Sequence, residues 1–514
     1  MKSVSLLLLT LVLFSGLLEA KTAVKVTEIQ SPNSPLVTFR IILRAGSIND
    51  WKGKEGINAL TAFMIAQGGT KDLKYQEVVA KLYPWAAGIN VSPEKEITTF
   101  IGQCHRDHLD KFYQLLSDLL LHPRFDPDDF TRNKDLLVSY LQKNLRGTDD
   151  ENLGKEAFSI AMFRVHPYGT AGGSVQGITS VTLDDIREYY AKTYTTGNIW
   201  IGIAGGYPSS LVDKMRKDFS ALPDGKFIPV ELPSVAMPEG MEVDIVEKPA
   251  RATAISLGHP LSVTRKDKDF YALMIANSYF GEHRTFNGVL MNKLRGDRGL
   301  NYGDYSYIER FQGGTAGSRF PDVNTPLRQQ YFSIWLRPVQ PENAHFAIRA
   351  AMFELNKFVE KGLTEEQFQQ TKKFVVNYSK LWAQTLDRRL GYKMDSEFYG
   401  MSGDYIERIE RELNTLTVGD VNRAVKKHIS PTNLKVAVVA NDAKSLMDKM
   451  LSNAPSSITY QAPVSPEIAE DDKVITSFPL GLNKAKARVV PVDQLFENES
   501  PGVTLERKDK NEKK

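Results

Sequence analysis

Apolar residues along this chain fall into runs of two kinds. Short runs rich in β-branched and aromatic residues predict strands: VTFRIILRA at 37–45, EITTFIGQC at 96–104, NIWIGIAGG at 198–206, TAISLGHPL at 253–261 and YFSIWLRPV at 331–339. Between them lie longer stretches with apolar positions three and four apart, such as DHLDKFYQLLSDLLLH at 107–122, which predict amphipathic helices. A buried helix is expected at 56–70, GINALTAFMIAQGGT, opened by one glycine and closed by a glycine pair.

The pattern occurs twice. TLDDI (182–186) introduces a helix and is followed by the strand NIWIGIAGG from Asn198; TVGDV (417–421) is followed in the same way by NLKVAVVAN from Asn433. Both features recur at an offset of 235 residues (182 to 417, 198 to 433), which predicts a duplicated domain rather than a solenoid of short repeats. The copies are expected over 21–223 and 241–453. The linker between them, 224–240, lies in a stretch (222–240) holding four prolines and two glycines. Residues 454–514 form a tail ending in the charged ERKDKNEKK, with VITSFPLGL and ARVVPVDQLFE apolar enough to pack somewhere.

The first twenty residues, with Lys2, an apolar run from about Val4 to Leu18 and Ala20 at the end, fit a secretory signal peptide cut before Lys21. Export is therefore expected, with the periplasm inferred from a bacterial-looking signal and the absence of disulfides. No later run reaches the roughly 18 uninterrupted apolar residues of a membrane span. One cysteine, Cys104, leaves nothing for an intrachain disulfide, so stability must come from packing. A net charge of +3 is too mild to point to nucleic acid.

The strand, short loop and glycine-bounded helix around 37–70 resemble the zinc-site region of the insulinase/pitrilysin-type metallopeptidases, and the resemblance extends over about residues 25–453. It implies an α+β fold of two homologous domains, each a mostly antiparallel sheet covered by helices, arranged as a clamshell around an extended peptide. In that family the helix carries His-x-x-Glu-His. Here the matching positions hold Ala59, Ala62 and Phe63. Zinc chemistry needs two imidazoles on one helical face and a carboxylate as general base, and two methyls and a phenyl supply neither. The family's further glutamate ligand aligns with Tyr140, in NKDLLVSY at 133–140, with Asn133 at the first position of that run. Glu151 and Glu156 are out of register and read as solvated helix residues.

The second copy contains LRGDRGLNYGDYS at 294–306. In the family an arginine and a tyrosine seven residues apart on this segment reach the substrate carbonyl, and Arg295 and Tyr302 have that spacing. A guanidinium and a phenol are donors suited to an oxyanion; the plain structural alternative is a salt bridge and an edge-packed ring. Cys104, His105 and His108 do not match the inverted zinc motif and are better explained as strand and helix-start residues. The segment 313–330 after the Arg/Tyr run is either a flap over a peptide channel or a surface insertion.

The resemblance thus implies a chain with the carbonyl-binding pair and no zinc of its own, like the non-zinc subunit of a two-subunit bacterial member of the family. Its partners would be a homologous subunit bearing the zinc motif and an extended peptide substrate, with zinc held by the partner. The alternative is a non-catalytic peptide-binding or scaffold protein of the cell envelope. An unrecognised peptidase site in the lone chain is the third reading.

Overall fold

The structure, a computed structural model, describes residues 21–164, 166–170, 172–310, 319–460 and 463–497. Residues 1–20, on which the expected signal peptide falls, and the charged end of the tail lie outside these. In the first half, β1 (Lys25–Gln30), β2 (Leu36–Leu43), β3 (Gly88–Pro93), β4 (Thr98–His105) and β5 (Ile199–Gly205) form a sheet in the order β1-β5-β2-β4-β3. In the second half, β6 (Met241–Glu247), β7 (Thr253–Leu261), β8 (Asp304–Tyr307), β9 (Gln330–Val339) and β10 (Leu434–Ala440) repeat that order as β6-β10-β7-β9-β8, and β11 (Leu482–Pro491) adds outside β6. The β1–β5, β6–β10 and β6–β11 pairs are parallel and the rest antiparallel. The fold is therefore the expected α+β arrangement of two homologous halves.

The duplication holds at the level of single residues. β5 and β10 coincide under the 235-residue offset (199 to 434, 205 to 440). The helix before each opens with the same reciprocal cap: Thr182 accepts from the Asp185 N–H while Asp185 accepts from Thr182, and Thr417 and Asp420 do likewise. Such a cap satisfies two helix-end donors that would otherwise lack partners.

The strand runs are continuously apolar because both sheet faces are covered. Along β5, Ile199, Ile201 and Ile203 enter the first half's own core. Trp200 and Ala204 face the other way, onto Leu390 and Met394 of the helix Leu386–Phe398, which belongs to the second half. Along β10, Leu434, Val436, Val438 and Ala440 enter the second core. Ala437 and Val439 face Leu153, Ala157 and Phe158 of the helix Asp150–Phe163, which belongs to the first half. Each half thus lends one helix to the other's sheet, and the two lent helices end 235 residues apart, at Phe163 and Phe398.

Small residues allow the close approach. A Cβ on Gly154 would lie 3.3 Å from the Ala254 Cβ, and one on Gly202 would lie 2.4 Å from the Met394 Sδ. A partly buried ion pair pins the same seam: Arg40 on β2 donates through Nε and Nη2 to the Asp387 carboxylate (2.8 and 2.6 Å) and through Nη1 to the Asn324 Oδ1 (2.8 Å).

The tail closes the seam from outside. After the helix Pro466–Ile475 and β11, Leu495 and Phe496 enter the core shared by the two halves. The Val175 N–H donates to the Phe496 carbonyl (2.6 Å), and Arg146 donates through Nε to the Leu495 carbonyl (2.8 Å) and pairs with Glu497 (2.6 Å). Among the described residues no helix is long and apolar enough to cross a membrane.

Gly202→Val is expected to push the Leu386–Phe398 helix off β5 and to cost about 1–3 kcal/mol, the usual range for overpacking. Urea unfolding of the variant checks this, and an unchanged midpoint would show that the helix does not rest on β5 as described.

Candidate functional site

The helix Ile57–Gln67 is buried almost all round, as its continuously apolar sequence requires. It starts at Gly56 with φ +107°, a conformation that favours glycine, and a Cβ there would lie 2.5 Å from Ile178. Ala59 and Phe63, one turn apart, face a cavity of about 470 Å³, while Ala62 lies in the first half's core at 0% exposure. Tyr140 lines the same cavity. It stands where the α-helix Pro127–Ser139 passes into a π-helical segment, Tyr140–Thr148, and π segments recur at functional sites. Asn133 also lines the cavity, but its Nδ2 is committed to the Asp129 carbonyl (2.9 Å). The structure therefore brings Ala59, Phe63, Asn133 and Tyr140 together and leaves Ala62 outside.

Four charged residues, Glu94, Lys95, Glu156 and Arg310, complete the wall, none of them a motif position. Lys95, from the turn between β3 and β4, donates to the Thr170 carbonyl. Burial pulls its ammonium down to about 8, against the opposing pull of the Glu156 carboxylate. Glu156, on the lent helix Asp150–Phe163, lines the cavity and is half-buried, which corrects the expectation of a solvated residue. Glu151 is likewise half-buried and lies 3.5 Å from Arg337 across the seam. Arg310 enters from the second half and pairs with Glu94. Burial, with the Glu156 and Asp149 carboxylates adding to it, raises the Tyr140 phenol above its ordinary value and keeps it protonated.

This donor set does not fit zinc: beside a methyl, a phenyl and a neutral phenol there is no imidazole, and the two carboxylates are engaged, Glu94 with the Arg310 guanidinium and Glu156 beside the Lys95 ammonium. Among the described residues no group of three or more His, Cys, Asp or Glu side chains is placed to hold a metal ion. Cys104 is buried, the His105 ring accepts from the Asp107 N–H as a helix-start cap, and His108 stacks on Trp85 at 6.1 Å between centroids.

Arg295 and Tyr302 are not among the residues lining the cavity. Arg295 ends the π-helical turn Met291–Gly296 and sits 5.2 Å over the ring of Phe286, which is 65% exposed. Tyr302 is 79% exposed. Beneath them, Asp304 is buried and pushed up to about 7 by that burial, with Arg295 opposing the rise. Tyr302 therefore points outward from the second half, while Arg295 is half-buried between Phe286 and Asp304. Of the segment 313–330, residues 313–318 lie outside the described part. The remainder is anchored: the Asn324 N–H donates to Asp395 (3.0 Å), and Tyr392 donates to the Pro321 carbonyl (2.8 Å).

Two family models match the chain: insulinase (peptidase family M16) over residues 25–171 and the peptidase M16 inactive domain over 180–375. The non-peptidase homolog YmxG of Helicobacter pylori is 22% identical over 418 residues, spanning 80% of this chain and 90% of that protein. The mitochondrial-processing peptidase subunit beta of Caenorhabditis elegans is 25% identical over 226 residues, 42% of this chain and 48% of its own length. A crystal structure of a peptidase M16 inactive domain from Pseudomonas fluorescens superposes with a TM-score of 0.70 at 22% identity, covering 81% of this chain and 96% of that one.

Lys95 supplies a pH test. Its folded value of about 8 lies below the ordinary 10.5, so between those values the unfolded chain binds more protons and stability from this group rises with pH. The unfolding free energy of the wild type relative to Lys95→Met is expected to climb from about pH 8 to 10.5 and to be flat below; a flat difference throughout would place the ammonium in solvent.

Proposed function

We propose that this chain, which belongs to the insulinase family M16, is a catalytically incomplete subunit that lends Arg295 and Tyr302 to the zinc site of a partner. The observation that supports the reading is the exposure of Tyr302, with Arg295 half-buried near it. Tyr302 is 79% exposed and Arg295 rests over an exposed Phe286, whereas the chain's own cavity has lost every motif ligand. Similarity to a protein named a non-peptidase homolog supports inactivity of the lone chain, and similarity to one named as a peptidase subunit supports assembly with another chain.

In this reading the partner carries His-x-x-Glu-His and supplies the metal and the attacking water. The peptide lies extended between the two chains. Arg295 and Tyr302 donate hydrogen bonds to the carbonyl oxygen as it gains negative charge, an interaction stronger in the transition state than in the bound substrate. The assembly is exported, after loss of residues 1–20, to the periplasm. The competing reading, a peptide-binding or scaffold protein, draws on the 470 Å³ cavity at the motif positions, which is a suitable size for holding a ligand side chain.

The test is hydrolysis of an unstructured peptide by the purified chain, by a zinc-motif homologue, and by the mixture, with zinc content measured in each. Activity is expected only in the mixture. Arg295→Ala should lower turnover by roughly a hundred- to a thousand-fold if the guanidinium is one oxyanion donor. Full activity of the homologue alone would overturn the reading, inactivity of the mixture would favour the binding protein, and stoichiometric zinc in the lone chain would overturn both.

A further inference from the structure

We infer that a second cavity, which shares no lining residue with the first, is a binding site for a carboxylate bearing an apolar chain or side chain. It holds about 340 Å³, within the usual range for small ligands. Five pieces of chain build it: the end of the lent helix Asp150–Phe163 with the residues just after it, linker residues 233–236, and strands β6, β10 and β11. Met162, Phe163, Pro233 and Val235 make an apolar floor.

The rim is cationic. Arg164, Lys435, Lys486 and Arg488 stand against Glu242 and Asp244, an excess of two positive charges. Arg164 and Arg488 share the Asp244 carboxylate at 2.9 Å each, and Lys435 pairs with Glu242. Lys486 is exposed, on the stretch where the register of β11 against β6 shifts between Leu482 and Ala487. Irregularities of this kind re-aim side chains and concentrate beside sites.

The independent observation is His166, which lines the cavity and is 2% exposed. Its Nδ1 accepts from the Tyr168 N–H (3.1 Å), so the neutral ring carries its proton on Nε2. Burial, with Arg328 and Lys95 nearby, keeps the ring neutral down to about 4. Nε2 has no hydrogen-bond partner among the described residues. A buried donor without an acceptor is costly, and a ligand oxygen removes that cost. One free N–H, a rim that already holds two carboxylates, and an apolar floor select a single-headed acid over inorganic phosphate.

A fatty acid and a peptide C-terminus ending in an apolar residue share this chemistry. Calorimetric titration of the full chain with decanoate, with N-acetyl-alanyl-leucine, and with methyl decanoate and inorganic phosphate as controls separates them. One acid is expected to bind saturably at one equivalent, at least tenfold more weakly in Lys486→Glu and His166→Phe and not at all in Val235→Trp, which fills the space. Lys486 is a surface residue, so its substitution leaves the unfolding midpoint unchanged. Decanoate binding assigns an acyl ligand, and peptide binding assigns a chain terminus. Binding of neither, equal binding of the ester or of phosphate, or unchanged affinity in Lys486→Glu overturns the inference.

Discussion

A sheet that is apolar on both faces must be covered on both, and in this chain each half covers one face of the other. The helices Asp150–Phe163 and Leu386–Phe398 fill those roles reciprocally. Each large side chain buried this way contributes about 1.5–3 kcal/mol as an upper estimate, so neither sheet is stable facing water where its partner's helix lies. Exchange also fixes the relative position of the halves. Gly154 and Gly202 permit close approach, and the Arg40–Asp387 pair sets the register. Arg40 is buried while Asp387 is partly exposed, so removing the carboxylate leaves the guanidinium's charge in the interior with only Asn324 and the Asp387 backbone carbonyl as partners.

The cavity at the motif positions inherits its shape from this packing and not from any ligand. Its walls are the helix Ile57–Gln67, the π-helical turn at Tyr140, and the lent helix that carries Glu156. None of these elements depends on an imidazole to hold its place: Ala62 is packed in the core, and Asn133 is bonded to its own helix. A methyl at Ala59 and a phenyl at Phe63 therefore line a pocket that the surrounding packing holds open. The turn between β3 and β4 then sets its electrostatics, with Glu94 bound to Arg310 and Glu96 to Arg328, both from the second half.

Much of the fold was legible in the sequence because duplication leaves a numerical trace. The 235-residue offset joins capping pairs and strands that the structure superposes residue for residue. The helix at 56–70 was legible because a continuously apolar run closed by a glycine pair predicts a buried helix, as Ile57–Gln67 is. The cavity's charged wall was not. Lys95 and Glu156 belong to a turn and a helix whose local patterns look solvated, and it is tertiary packing, with Thr170 of the first half and Arg310 of the second beside them, that half-buries both. A sequence signal did exist in the uninterrupted apolar character of 198–206, since a strand with one wet face would alternate. The tail was harder still. β11 is an edge strand with mostly exposed side chains, so periodicity says little about where it pairs.

An oxyanion donor acts only within about 2.7–3.1 Å of the charge it stabilises. Tyr302 is largely exposed, the Arg295 guanidinium lies over Phe286, and neither residue lines the motif cavity. The lent helix nevertheless connects these places mechanically. Glu156 lies at the motif cavity, and Met162 and Phe163 at the floor of the second one. Glu151 meets Arg337, whose backbone N–H donates to the Gly303 carbonyl (3.1 Å), one residue beyond Tyr302. A shift of this helix is therefore felt at both cavities and beside the Arg/Tyr segment, because a close-packed seam transmits displacement rather than absorbing it.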